Sequence, residues 1–184
     1  MLETAATELN NRKEKMKRYV LTGAPSCGKT SLLLELESRG IPVIREAAED
    51  VARLEMSKGV ENPFAESNFQ DKVLKIQMFR EHYAPNVTTI IDRGVVDGLA
   101  YADKFHPARW WIEHATKERR YDGVFFLEPL EKMEQTAIRR ETVEESLVLS
   151  EKLYAAYIDT GYEPIRIPVM SIEARAQMIL ECIV

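Results

Sequence analysis

Gly23-Ala24-Pro25-Ser26-Cys27-Gly28-Lys29-Thr30 decides how the rest of the chain is read. The spacing is G-x-x-x-x-G-K-T, that of a phosphate-binding P-loop. Gly23 ends a strand and lets the backbone turn back on itself. Gly28 lets it pass close to phosphates, where a Cβ would collide. The loop N–H groups form an anion nest, which the positive end of the following helix continues. The nucleotide-binding set expected here is Gly23, Ala24, Pro25, Ser26, Cys27, Gly28, Lys29, Thr30 and Ser31. Lys29 reaches toward the β- and γ-phosphates, and the Thr30 hydroxyl is a ligand for Mg²⁺. The flanks agree with this. Arg18 to Thr22 is a short strand-like run, and Ser31 to Arg39 carries Leu32, Leu33 and Leu36 at helical spacing. Gly40 stands where a helix C-cap belongs.

The 184 residues suit one domain with one core, and 45% hydrophobic with 30% charged residues is an ordinary globular composition. A net charge of -5 speaks against nucleic acid as the main partner. Cys27 and Cys182 match no metal-ligand spacing and fit a reduced, cytoplasmic setting. Cys27 reads as a small loop filler, with a redox-active thiol as the competing reading. No apolar run is long enough for a membrane span, and no signal peptide is visible. Residues 1–16 are polar and read as an N-terminal extension to a domain over residues 17–184.

Past the loop helix, strands and helices alternate. Ile41 to Ile44 reads as a second strand, followed by Arg45-Glu46 and a helix to about Lys58. A carboxylate at a strand's C-terminal end points into the ligand crevice of an α/β sheet. Glu46 is therefore a candidate general base, and a first-turn helix acid is its equal competitor. Gly59 to Glu66 is a loop placed to act as a flap. Ser67-Asn68-Phe69-Gln70 reads as a capping box opening a helix to about Tyr83, with Phe69, Val73, Ile76 and Tyr83 toward the core. Gln70 and Gln77 share a neighbouring face and could contact a substrate; for Gln70 the cap competes, and for Gln77 simple solvent exposure is the favoured reading.

Val87 to Asp92 is a strand ending in an aspartate, the pattern that holds a Mg²⁺ shell. Arg93 follows with bidentate donors near the phosphoryl groups. Asp97 and Tyr101 share that crevice, or else are a helix acid and a core tyrosine. Of Trp110 and Trp111, one is expected in the core. Val124 to Leu127 is an apolar strand suited to the sheet centre. Arg139 and Arg140 precede a capping box, Thr142 with Glu145, and are placed like a lid over a nucleotide, or else are a solvated turn. A helix to about Asp159, a strand at Pro164 to Pro168 and a helix at Ser171 to Ile183 complete the chain. The expected architecture is a parallel sheet covered on both faces, with ligand at the C-terminal strand ends.

With these residues in place, the chain resembles the small "AAA domain" family of P-loop ATPases or kinases, from about Lys17 to Val184. The resemblance is carried by the P-loop, by Arg45 to Ala48, by Asp92 to Tyr101, by Tyr121 to Leu130, by Arg139 to Thr142 and by Gly161 to Pro168. That family is similar to deoxynucleoside kinases, thymidylate kinase and nicotinamide-riboside kinases. The resemblance implies an α/β P-loop NTPase fold with five parallel strands in the order 2-3-1-4-5. It also implies an acid near the acceptor at Glu46, a phosphate arginine at Arg93 and a lid arginine at Arg139 or Arg140.

The functional expectation is an ATP- and Mg²⁺-dependent, kinase-like phosphotransferase acting on a small-molecule acceptor such as a nucleoside or nucleotide. Its catalytic set is Lys29, Glu46, Asp92, Arg93, Arg139 and Arg140, with Thr30 and Asp92 on the metal. The alternative is a regulatory nucleotide-binding NTPase that switches partner contacts. Its GTPase version lacks an N-K-x-D signature, and Arg93-Gly94-Val95 replaces the D-x-x-G switch. An oligomeric motor would need a lid domain after the core, for which the chain has no length.

Overall fold

The computed structural model describes residues 17–118, 121–130 and 142–183. The expected extension at residues 1–16 and the lid arginines Arg139 and Arg140 lie outside them. Five strands form one sheet: β1 (Arg18–Gly23), β2 (Val43–Ile44), β3 (Thr89–Asp92), β4 (Gly123–Leu127) and β5 (Ile165–Ile167). Their order is β2-β3-β1-β4-β5, all neighbours parallel. The P-loop strand is central, as the sequence predicts.

The helices are α1 (Lys29–Ser38), α2 (Ala47–Ser57), α3 (Phe69–His82), α4 (Arg109–Glu118), α5 (Val143–Asp159) and α6 (Ile172–Ile183). A 3-10 turn at Val95–Asp97 leads into a one-turn helix at Gly98–Tyr101. Strand alternation divides the core into two layers. Tyr19, Leu21, Ile90, Phe125 and Leu127 face α1 and α6, which contribute Leu32, Leu33, Leu36, Ala176 and Ile179. Val20, Ile91 and Val124 face the other way, against Leu74 and Met78 of α3 and Ala156 and Tyr157 of α5.

The helix ends are specified locally. Gly40 has φ 85°, and the Ile41 N–H reaches the Leu36 carbonyl, closing α1 with a left-handed cap. Thr142 and Glu145 form the expected reciprocal capping box on α5. The box expected at Ser67 to Gln70 does not form. Asn68 is the N-cap of α3 and makes no side-chain cap bond.

Two aromatic assignments change. Trp110 and Trp111 are both exposed, at 60% and 57%. The buried side of α4 carries Ile112, Ala115 and Thr116 instead, and the two rings pack edge-on to each other. Tyr83 is 69% exposed because α3 has ended and the ring lies on Phe79 rather than on the sheet.

Gly23 couples the central strand to the loop it feeds. Its φ is +143°, and a Cβ there would stand 2.7 Å from the Leu127 carbonyl oxygen of β4. A strained φ and a backbone clash act together, so Gly23→Ala is expected to destabilise the fold by about 1–3 kcal/mol. Urea unfolding followed by circular dichroism measures it, and an unchanged midpoint would contradict the close approach.

Candidate active site

The site lies beyond the C-terminal ends of β1, β2 and β3. Gly28 precedes α1 with φ +92°, so the loop turns directly into the helix N-terminus. Lys29 folds back over the loop and is buried. Its ammonium donates to the carbonyls of Gly23 at 3.1 Å and Ala24 at 2.9 Å. Cys27 is fully buried in the α1–α6 core layer, which bears out the loop filler. Thr30, next on α1, is exposed.

Arg93 is the centre of the crevice. It has φ +60°, which is strained for a bulky residue. Both ends of its backbone are held: its N–H by the Leu21 carbonyl at 3.1 Å, its carbonyl by the Gln77 amide at 2.9 Å. The turn sends the guanidinium between two carboxylates. Nε donates to Glu46 at 3.0 Å and Nη1 to Asp97 at 3.0 Å. Burial alone would lower its pKa, but Tyr101, Glu46, Asp97 and Asp92 together hold it well above the ordinary arginine value. Arg93 is therefore a permanent buried cation.

Glu46 is the N-cap of α2 by position, yet its side chain caps nothing. One oxygen, Oε1, is anchored by Arg93. The other, Oε2, has no hydrogen-bond partner among the described residues. The Arg80 guanidinium of α3 donates to the carbonyls of Arg45 at 2.8 Å and Glu46 at 3.0 Å, fixing the backbone that carries the acid. Asp97 is a structural hub. It accepts from the Thr22 hydroxyl of β1, from Arg93, from the Gly94 N–H and from the Tyr157 hydroxyl of α5. Burial and the Asp97 charge raise the Tyr157 pKa well above the ordinary tyrosine value, so the hydroxyl stays a donor.

Asp92 is 4% exposed, and its Oδ1 has no hydrogen-bond partner among the described residues. Burial first, then the Glu46 charge, pushes its carboxyl up to about 7, against the opposing pull of Lys29 and Arg93. An unsatisfied buried acid beside a phosphate loop fits a Mg²⁺ site. Mg²⁺ usually takes one or two protein oxygens and completes its shell with phosphates and water. Accordingly, no cluster of three metal-binding side chains is needed, and none occurs among the described residues.

A cavity of about 320 Å³ opens onto these groups. Pro25, Lys29, Glu46, Arg93 and Asp97 line it. Phe64, Phe69, Val73 and Leu74 form an apolar wall, with Gln70 and Tyr101 among them. Phe64 comes from the loop at Gly59 to Glu66, and its ring centroid is 5.0 Å from that of Phe69.

The model of the "AAA domain" family matches residues 18–175. The chain belongs to this family. No functionally curated protein matches it in sequence. Among solved structures it is similar to the NadR protein in complex with NAD and AMP-PNP, with a TM-score of 0.76 at 16% identity over 99% of this chain. The same protein in complex with NR gives 0.75 at 16% identity. The chain spans just over half of NadR's length, 57%. Deoxyadenosine kinase from M. mycoides with dCMP and dCDP matches at a TM-score of 0.64 and 14% identity, over 90% of this chain and 97% of the kinase. This AAA domain protein thus shares the five-stranded P-loop fold of a nucleoside kinase.

The structure brings Lys29, Glu46, Asp92 and Arg93 into one crevice. Gln77 departs from its expected exposure: it is 4% exposed and spent on Arg93 and Glu81, a link no local pattern announces. Gln70, freed from the cap, faces the cavity. Arg80, Tyr157 and Arg175 were missed. Only Arg175 left a trace, since it falls on the same helical face as Ile172, Ala176 and Ile179.

Asp92 gives a pH signature. Its folded pKa of about 7 lies above the ordinary 3.8, so the metal-free folded state holds a proton that the unfolded state has lost. This contribution is fully present below pH 4 and is lost as pH rises through 7. Asp92→Asn is expected to remove that decline, so at pH 8 the metal-free variant melts above the wild type. Melting curves at pH 5 and pH 8 test it; parallel curves for the two proteins would refute the raised pKa.

Proposed function

We propose that this protein is an ATP- and Mg²⁺-dependent phosphotransferase that phosphorylates a hydroxyl group of a small, nucleoside-like acceptor. The observation that carries the reading is Glu46: one oxygen pinned by Arg93, the other unpartnered, at the wall of a cavity that also reaches Lys29. A regulatory binder of nucleotide has no use for an oriented acid and an adjoining cavity.

The nucleotide's β- and γ-phosphates lie on the loop amides, and Lys29 exchanges its two carbonyl partners for phosphate oxygens. Thr30 and Asp92 would hold Mg²⁺, which would offset charge on those phosphates. The acceptor occupies the cavity with its planar ring against the apolar side chains and Tyr101, and Gln70 offers an amide to its polar edge. Its hydroxyl gives a proton to Glu46 Oε2 as the oxygen attacks the γ-phosphorus. The bond from phosphorus to the β–γ bridging oxygen breaks, and ADP leaves. Arg93 faces this charge as a fixed cation, and Arg139 and Arg140 are the lid candidates. The nucleoside class draws support from the deoxyadenosine kinase and NR-bound relatives.

Two variants test the reading. Lys29→Ala is expected to weaken ATP binding at least tenfold, on the order of a lost charged hydrogen bond, with the fold kept. Calorimetry reads it, and wild-type affinity would remove the P-loop assignment. Glu46→Gln should leave ATP affinity near wild type and slow transfer by about 10²–10⁴-fold. The assay couples ADP release to a panel of nucleosides, deoxynucleosides and NR. If no acceptor stimulates ADP formation and Glu46→Gln leaves basal hydrolysis unchanged, the regulatory reading replaces this one.

A further inference from the structure

Arg175 of α6 is among the largest fully buried side chains, at 1% exposure. Its Nε donates to the Pro168 carbonyl at 3.0 Å, and its Nη1 to the Cys27 carbonyl of the P-loop at 2.9 Å. Nη2 is buried and has no hydrogen-bond partner among the described residues. No carboxylate pairs with Arg175 among the described residues. A guanidinium does not neutralise itself by losing its proton. A buried charge without a counter-charge is costly, and two carbonyls offset only part of that cost.

The position explains why a cation is kept there. A Cβ built on Gly28 would meet Nη1 at 3.4 Å, so the guanidinium packs directly behind the turn that opens α1. Lys29 grips the loop carbonyls of Gly23 and Ala24, and Arg175 grips that of Cys27. The loop thus carries two buried cations against its carbonyls.

We infer that Arg175 is a fixed positive charge of the polyphosphate site: it positions the P-loop through Cys27 and finds its counter-charge in the bound triphosphate. This rests on the nucleotide-binding part of the proposed function. It adds to the loop a residue nearly 150 positions away in sequence.

Calorimetric titration of Mg-ATP, AMP and Mg-tripolyphosphate into wild type, R175Q, R175M and R175K tests it. R175Q keeps a donor for Cys27 and removes the charge. Its dissociation constants for ATP and tripolyphosphate are expected to rise at least about tenfold, and more than that for AMP. R175K restores the charge and should recover most of the loss. A smaller loss in R175Q, an equal loss for AMP, or no recovery in R175K overturns the inference and leaves Arg175 a packing strut. Should R175Q not fold, R175M replaces it, since its apolar chain fills the same space. If neither folds, the guanidinium is required without any ligand, which also overturns the inference. If the wild type binds neither ATP nor tripolyphosphate, the nucleotide reading itself fails. If it binds both and R175Q binds them equally well, only the role of Arg175 fails.

Discussion

The site depends on one buried cation held between two acids. Arg93 lies between Glu46 and Asp97, and through them it ties together elements distant in the chain. Glu46 brings the exit of β2, and Asp97 brings Thr22 of β1 and Tyr157 of α5. Breaking such a buried pair by removing one partner typically costs about 3–5 kcal/mol, because the other charge is left stranded. The arrangement also accounts for the strained backbone at Arg93. A residue with φ +60° persists only where its surroundings over-determine it, and here both backbone groups and two guanidinium nitrogens are engaged.

That same set keeps Asp92 out of balance. The carboxyl sits one residue before Arg93, at the end of a fully buried strand. Glu46 and Asp97 raise its pKa while Lys29 and Arg93 lower it, and desolvation tips the sum upward. The crevice therefore combines cations with an acid that is only partly ionised near neutrality. In the proposed reaction, Mg²⁺ and triphosphate supply the charges that complete it. Asp92 Oδ1, Glu46 Oε2 and Arg175 Nη2, each without a hydrogen-bond partner among the described residues, belong to residues around this one crevice and its loop.

The apolar side of the cavity is built differently. Its wall comes from α3 and from the loop before it, whose Phe64 leans on Phe69. Arg80 carries the register between α3 and the Glu46 backbone, so the helix that shapes the cavity also sets where the acid stands. Changes in cavity shape and in the placement of Glu46 are thereby coupled through one side chain.

The sequence alone was enough for the strand–helix order, the P-loop and the strand-end pair Asp92-Arg93. These are local patterns: glycine spacing, apolar alternation and a cap glycine each act within a few residues. It also singled out Glu46 and Asp97, though as choices between chemistry and helix ends. Only the tertiary structure shows that the Glu46 side chain caps nothing and that Asp97 joins its helix-end contact to Thr22, Arg93 and Tyr157, because those partners lie elsewhere in the chain. Glu46 was freed from capping by Arg93, and Gln77 was drawn inside by the Arg93 carbonyl. The exposure of Trp110 and Trp111 likewise depends on which side of α4 meets the core, and the smaller Ile112 and Ala115 take that side. Arg175 behind the loop is the furthest case. A helical face can be read from spacing, but the carbonyl it serves belongs to the loop after β1, 148 positions away, and no pattern within α6 names it.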